Sequence, residues 1–458
     1  MKTALLFVIL ALSINVYAQW TPQVTVLPAP NAASIAISPV DSNIVWTLSV
    51  DLTHFSTAGD PIGPMNRFTR TTNGGALWIQ DTIEGAKGLH PGGIAAVDGQ
   101  TAWVTMQDES LKTSGGIFKT TDGGAHWIKQ STAFTGSGGK PMFIHFFDPE
   151  NGLVVGERNP GLWEIYTTTN GGTQWDNVPS ANIPPKLSGE WLREGFEFAV
   201  FHNTFWFCTT GTSGRVFKST NRGRDWTAAV PGSGYNRIHT IAFQDDSVGL
   251  ACAFAGSKST IIRTTNGGKT WFPTTTPLTP TPHIISYVPG TSGSYVVVGH
   301  PSEGNNTGTA ITLNGGSSWT TIDTNPYGLL AFVAPDIGWA VGGNNAGSLS
   351  IFRWSGKSLI TSVQRTTGEL PGVISLAQNY PNPFNSSTKI RYQILSEENV
   401  SIKVYTILGK EVYTLVNEKK PAGSYEVEFE AEGLPSGIYF YNLQAGNYAE
   451  IKKMILIK

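Results

Sequence analysis

Residues 117–127 read Ile117-Phe118-Lys119-Thr120-Thr121-Asp122-Gly123-Gly124-Ala125-His126-Trp127, and five other segments end on a tryptophan in the same frame, at Trp78, Trp175, Trp226, Trp271 and Trp319. Differences between successive positions 78, 127, 175, 226, 271 and 319 are 49, 48, 51, 45 and 48 residues. A self-similar period of roughly 40–50 residues is that of a propeller blade.

Each copy has the chemistry of a tight β-hairpin. Apolar and β-branched residues such as Ile117, Phe118, Thr120 and Thr121 favour a strand. Next stands a short polar side chain able to bond the amides ahead of it: Asp122, or Asn73, Asn170, Asn221, Asn266 and Asn314. Gly124 and its equivalents Gly75, Gly172, Gly223, Gly268 and Gly316 tolerate positive φ. Trp127 and its counterparts open the returning strand with an indole large enough to cover the turn and pack between sheets.

A second pattern alternates with the first. Residues 35–48, 94–104, 143–155, 198–208, 238–252, 284–298 and 329–341 each hold two apolar runs around a polar turn, as in Phe332-Val333-Ala334-Pro335-Asp336-Ile337-Gly338-Trp339-Ala340-Val341. These are the inner strands of seven blades, although only six tryptophan turns are intact. After the seventh hairpin, Ile351-Phe352-Arg353-Trp354 reads as a third strand without the acidic turn, and no fourth follows. Trp20-Thr21-Pro22, at the other end, reads as a strand of the kind that follows a turn. The N-terminal strand is therefore expected to complete the last blade and close the ring, removing open sheet edges.

The spacing Ser/Thr, any, Asp/Asn, any, Gly, any, any, Trp resembles the Asp-box of sialidase-type (BNR) propellers. It stands here from Thr71/Asn73/Gly75/Trp78 through Thr312/Asn314/Gly316/Trp319. The resemblance implies a structural turn and not a catalytic element. The whole repeat is similar to photosystem II assembly-factor-like propellers, whose Gly-Trp-Ala-Val-Gly strand is matched by residues 338–342. The expected fold is all-β: a seven-bladed propeller over residues 19–362, a linker at 363–375 and a small Ig-like β-sandwich at 376–458.

Residues 1–18 carry an early Lys2, an apolar run over 4–14 and the close Val16-Tyr17-Ala18, the pattern of a secretory signal peptide cleaved before Gln19. That run is too short for a membrane anchor, and no later segment is apolar enough to span a bilayer. The mature chain is expected to be exported, without a transmembrane segment. With 31 basic and 33 acidic residues and no basic stripe, nucleic acid is not an expected partner. Two cysteines, Cys208 and Cys252, do not make a disulfide scaffold. They fall in strands of neighbouring repeats, where a bridge needs Cα atoms within about 7 Å, and two buried free thiols are the favoured reading.

From residue 376 onward tryptophan disappears, Lys and Glu rise, and six alternating strands are expected over 389–394, 400–407, 411–416, 424–430, 438–443 and 449–457. Asn379-Tyr380-Pro381-Asn382-Pro383-Phe384-Asn385, Gly409-Lys410-Glu411-Val412, Leu434-Pro435-Ser436-Gly437-Ile438-Tyr439 and the closing Lys452-Lys453-Met454-Ile455-Leu456-Ile457-Lys458 resemble the type A C-terminal sorting domain of the type IX secretion system in Bacteroidetes-like bacteria. The resemblance implies passage through the outer membrane, engagement of the secretion machinery and its sortase-like peptidase, and release or attachment at the cell surface.

In a four-stranded antiparallel blade the turns after strands one and three share a face, so a site is expected opposite the boxes. Loops expected there carry Asp51, His54, Asp108, Glu109, Glu157, Arg158, Glu190, Trp191, Arg193, Glu194, Tyr235, Arg237, His300 and Glu303. Paired carboxylates among them could serve glycoside hydrolysis, but solvated loops are charged in any case. The Arg-Ile-Pro signature of sialidases is absent, and Asn66-Arg67-Phe68-Thr69-Arg70 comes nearest to it. Xyloglucan-cleaving relatives of the repeat set their cleft between two propellers, where one is expected here. No metal motif, phosphate loop or cofactor fingerprint occurs, and no cofactor or metal is expected. The reading is a secreted, non-catalytic propeller binding a protein or glycan, with a secreted glycoside hydrolase as the alternative.

Overall fold

The structure, a computed structural model, describes residues 19–23, 32–55, 61–108, 115–158, 161–193, 198–232, 234–256, 258–274, 278, 280–299, 307–343, 349–356, 359, 374–394, 398–420, 423–431, 433–446 and 448–457. The expected signal peptide lies outside them, as does most of the expected linker. Contacts divide the chain into two units, residues 1–361 and 362–458.

The first unit is a seven-bladed β-propeller of four-stranded antiparallel sheets. Blades 1 to 6 take their strands in chain order. Blade 1, for example, holds Ala32–Pro39, Val45–Phe55, Pro61–Thr71 and Ile79–Thr82. Blade 7 joins Tyr327–Ala334, Ile337–Gly343 and Leu349–Trp354 to the N-terminal strand Trp20–Pro22. Trp20 pairs with Trp354 and Pro22 with Phe352, and the Gln23 amide donates to Ile351 O at 2.8 Å. First strands of neighbouring blades lie against one another from blade 4 through blades 5, 6, 7, 1 and 2 to blade 3, and so surround the axis. Residues 51–67, read from sequence as a loop, are largely strand, because Val45–Phe55 and Pro61–Thr71 extend the hairpin.

The six boxes share one hydrogen-bond scheme. In blade 2, Thr120 Oγ1 donates to Asp122 Oδ1 at 2.9 Å and accepts the Gly124 amide at 2.9 Å, while Asp122 Oδ1 accepts the His126 amide at 3.0 Å. The Thr71, Thr168, Ser219, Thr264 and Thr312 hydroxyls repeat it with Gly75, Gly172, Gly223, Gly268 and Gly316. Gly124, at φ +91°, has no room for a Cβ, which would meet Phe68 Cζ at 2.2 Å.

The tryptophan that ends each box fills the junction with the preceding blade. Trp127 of blade 2 lies edge-on to Trp46 and Phe68 of blade 1. Trp175 shares a cluster with Trp103 of blade 2, and Trp271 with Trp206 of blade 4. Trp78 meets Trp339 of blade 7 at 5.8 Å. Burying such indoles supplies about 3–5 kcal/mol each, judged by truncation of buried aromatics.

A second inter-blade device was not anticipated from the sequence. In blades 1, 2, 4 and 7 a second-strand tryptophan pairs across the sheet with a third-strand cation: Trp46 with Arg70, Trp103 with Lys119, Trp206 with Lys218 and Trp339 with Arg353. Each cation lies over its indole, 5.0–5.5 Å from the ring centroid. Each also donates to a turn carbonyl of the next blade: Gly99, Gly171, Asp246 and Gly74 in turn. The last of these joins blade 7 to blade 1. Burial lowers the pKa of Arg70, Lys119 and Lys218, the cost of seating the cations in the junctions.

The second unit is a sandwich of two sheets. One holds Ser375–Leu376, Ser387–Ile394 and Gly423–Glu430, and the other Glu411–Lys420, Glu398–Thr406, Gly437–Ala445 and Tyr448–Leu456. Period-two alternation puts Ile390, Tyr392, Ile394, Val400, Ile402, Val404, Tyr441 and Leu443 in its core. The strand Ser375–Leu376 adds a seventh to the six expected, and it is too short for alternation to reveal. Cys208 and Cys252 are buried and not joined in a disulfide, and burial pushes the Cys252 pKa up to about 12. Among the described residues no helix is long and apolar enough to cross a membrane.

Candidate functional site

Opposite the boxes, residues 179–193 leave blade 3 and fold over the start of blade 4. One 3-10 turn, Ser180–Asn182, begins it, and Ile183 and Leu192 sink into the core between blades 3 and 4. Glu190, within this segment, is 3% exposed. Its carboxylate accepts the Leu187 amide at 3.0 Å, the Thr209 hydroxyl at 2.7 Å, and Arg215 Nε and Nη2 at 2.8 and 2.5 Å. Arg215 also donates to Pro185 O at 2.8 Å and packs over Phe217.

Glu157, at the end of the strand Gly152–Arg158, holds the same segment from the blade 3 side. It accepts Lys186 Nζ at 2.6 Å and the Leu192 amide. Lys186 lies over the Trp163 ring, 4.9 Å from its centroid. Arg158 pairs with buried Glu164, which also accepts the Tyr166 hydroxyl at 2.8 Å. The Glu164 hydrogen bond raises the Arg158 pKa, and burial, then Glu164, raises that of the Tyr166 phenol. These three carboxylates are tied into the scaffold, each by two or more donors.

Over this base the backbone carries aromatic and cationic side chains from two further loops. Trp191 bridges Thr210, and Thr210 bridges Arg237. Gly211 N donates to Asn236 O at 2.9 Å and Gly214 N to Tyr235 O at 3.0 Å. Trp191, Tyr235 and Arg237 are thereby set around the loop 209–215, all half-buried. The Arg237 guanidinium lies 3.8 Å from the Phe254 ring centroid, and the rings of His239 and His283 stand 3.9 Å apart nearby. Half-buried Arg193 follows Trp191 at the end of the same segment.

The remaining candidates stand elsewhere. Asp51 belongs to blade 1, where its carboxylate caps the Thr53 amide at 2.8 Å. His54 lies in the same strand, its side chain outside the described residues, and Asp108 follows the second strand of blade 2, Ala102–Gln107. Glu109, Glu194, His300 and Glu303 lie outside the described residues. Among the described residues no group of three His, Cys, Asp or Glu could hold a metal ion. Sequence reasoning missed Lys186, Glu164 and Arg215, whose partners lie up to 29 positions away in sequence.

The closing strands of the second unit, with Asn379 buried under the Tyr441 and Thr388 hydroxyls, bring the C-terminal motifs into one domain. Residues 378–458 match the family described as the secretion system C-terminal sorting domain. This sorting domain marks the chain for the type IX machinery, and the protein is exported, to the medium or the outer-membrane surface. The propeller is similar to two solved structures, described as "YCF48 bound to D1 peptide" and "YCF48 from Cyanidioschyzon merolae". Each has 15% identity and a TM-score of 0.50, over 74% and 73% of this chain and 95% and 98% of theirs. A structure of "Niastella koreensis GH74 (NkGH74) enzyme" matches at 14% identity and a TM-score of 0.46, over 92% of this chain and 65% of that one. A search of curated proteins finds no match.

Proposed function

We propose that the propeller is a non-catalytic binding module for a protein or glycan partner, carried outside the cell by its sorting domain. The observation that carries this reading is the state of Glu157 and Glu190. Glycoside hydrolysis needs one carboxyl free to give a proton and another free to attack or to activate water. Both carboxylates instead accept structural donors that brace residues 179–193. The braced segment carries Trp191 and Arg193 beside Tyr235 and Arg237 of a neighbouring loop, an aromatic and cationic surface suited to contact rather than to proton transfer. The propeller described as bound to D1 peptide shares the fold and supplies no residue argument at 15% identity.

Full-length protein on a panel of aryl glycosides and plant polysaccharides is expected to release no product. On arrays of glycans and peptides it is expected to be retained, with Trp191→Ala and Arg237→Ala each lowering the retained signal at least about tenfold, roughly 1.4 kcal/mol. Turnover abolished by Glu157→Gln or Glu190→Gln would overturn the reading in favour of a hydrolase.

A further inference from the structure

The column of residues that faces the next blade has the same make-up in four blades and departs from it in blade 5. In blades 1, 2, 4 and 7 it runs from tryptophan to cation to a short or aliphatic residue: Trp46/Arg70/Ile79, Trp103/Lys119/Ile128, Trp206/Lys218/Thr227 and Trp339/Arg353/Thr21. In blade 5 it runs Leu250/Arg263/Phe272. Without an indole to lie on, Arg263 is exposed, and among the described residues no hydrogen bond or ion pair engages it. Phe272, directly opposite, is 64% exposed and makes no ring contact among the described residues. The other wall is the box turn of blade 6, where a Cβ on Gly315 would stand 3.8 Å from Arg263 Nη2. Between them lies an open hollow of about 340 Å³.

We propose that this groove between blades 5 and 6 is a subsite for an acidic sugar, a hexuronate unit of a polysaccharide. A guanidinium with no carboxylate in the lining calls for an anion, and its planar fork matches a carboxylate. The exposed phenyl face offers the flat apolar surface on which the C–H face of a pyranose rests. Ser317 and Thr265 supply hydroxyls at the rim. The volume suits one ring, at the lower end of small-molecule sites, which run from about 300 Å³. The groove lies on the box side of the ring, so the inference stands apart from the surface around Trp191.

Titration of the full chain with trigalacturonate, beside neutral galactotriose, tests the proposal by calorimetry. Saturable binding of the acidic trisaccharide is expected, at least about tenfold tighter than that of the neutral one. Arg263→Ala and Phe272→Ala should each weaken it about tenfold, roughly 1.4 kcal/mol. Both side chains are exposed, so unchanged melting temperatures are expected and separate a lost contact from a lost fold. Absence of binding by the wild type, equal affinity for the neutral sugar, or binding indifferent to both substitutions would overturn it. So would an Arg263-dependent response to a peptide C-terminal carboxylate with none to the uronate.

Discussion

Glu190 accepts four donors inside the protein and Arg215 supplies two of them, so each of these buried charges has the other as its main compensation. Removing one side leaves the other uncompensated, which typically costs about 3–5 kcal/mol. Arg215→Met is expected to lower the stability of the propeller by that order in chemical denaturation and to release residues 179–193 to proteolysis, whereas loss of the surface pair Arg222–Asp148 should cost under about 1 kcal/mol. Asp323 carries a prediction with the opposite sign. Burial pushes its pKa from 3.8 up to about 6, against hydrogen bonds from the Asn325 amide and Thr309. The folded state therefore holds this proton more tightly than the unfolded chain, and the stabilisation is complete below about pH 4 and lost as pH rises through about 6. The stability difference between Asp323→Asn and wild type should grow in the variant's favour from pH 4 to 7, and a pH-independent difference would contradict the assignment. From the sequence, Glu157, Arg158, Glu190, Trp191, Tyr235 and Arg237 read as loop residues, whereas Glu157, Arg158 and Arg237 stand at the ends of strands. Which of them are engaged internally was not legible, since that depends on Lys186 and Arg215 arriving from other segments.

Each box is a local device, and this is why it could be read from one sequence: hydroxyl, carboxylate or amide, glycine and indole all act within eight residues. Thr120→Val removes the acceptor of the Gly124 amide and the donor to Asp122, and is expected to cost about 1–3 kcal/mol through the unsatisfied groups left behind. Gly124→Ala should cost more, because it combines an unfavourable φ of +91° with a 2.2 Å approach to Phe68. Thermal melts of both variants, beside Ala125→Ser at an exposed position of the same turn, check the order. The tryptophan–cation columns escaped notice although they leave a trace: Arg70, Lys119, Lys218 and Arg263 each stand immediately before the box hydroxyl residue. Reading that trace requires strand register, because it is the residue across the sheet that decides whether the cation is seated on an indole or left in solvent.

Seven inner hairpins against six boxes implied a shared blade, and pairing of Trp20 with Trp354 is the physical answer. Trp20 Nε1 donates to Thr309 Oγ1 at 3.2 Å, and its indole packs with Tyr327, Phe332 and Trp354. Trp20→Ala is expected to destabilise the whole ring by about 3–5 kcal/mol rather than fray one end; two separate unfolding steps, with only blade 7 lost in the first, would contradict closure by this strand. The pairing also sets an order of events. Residue 20 leaves the ribosome 334 residues before residue 354 (354 − 20), so the earliest-made piece of the wheel must wait unzipped for nearly the last. Contacts so distant along the chain form slowly. Until they do, blades 1 and 7 each show a raw flank of unpaired backbone groups to their surroundings.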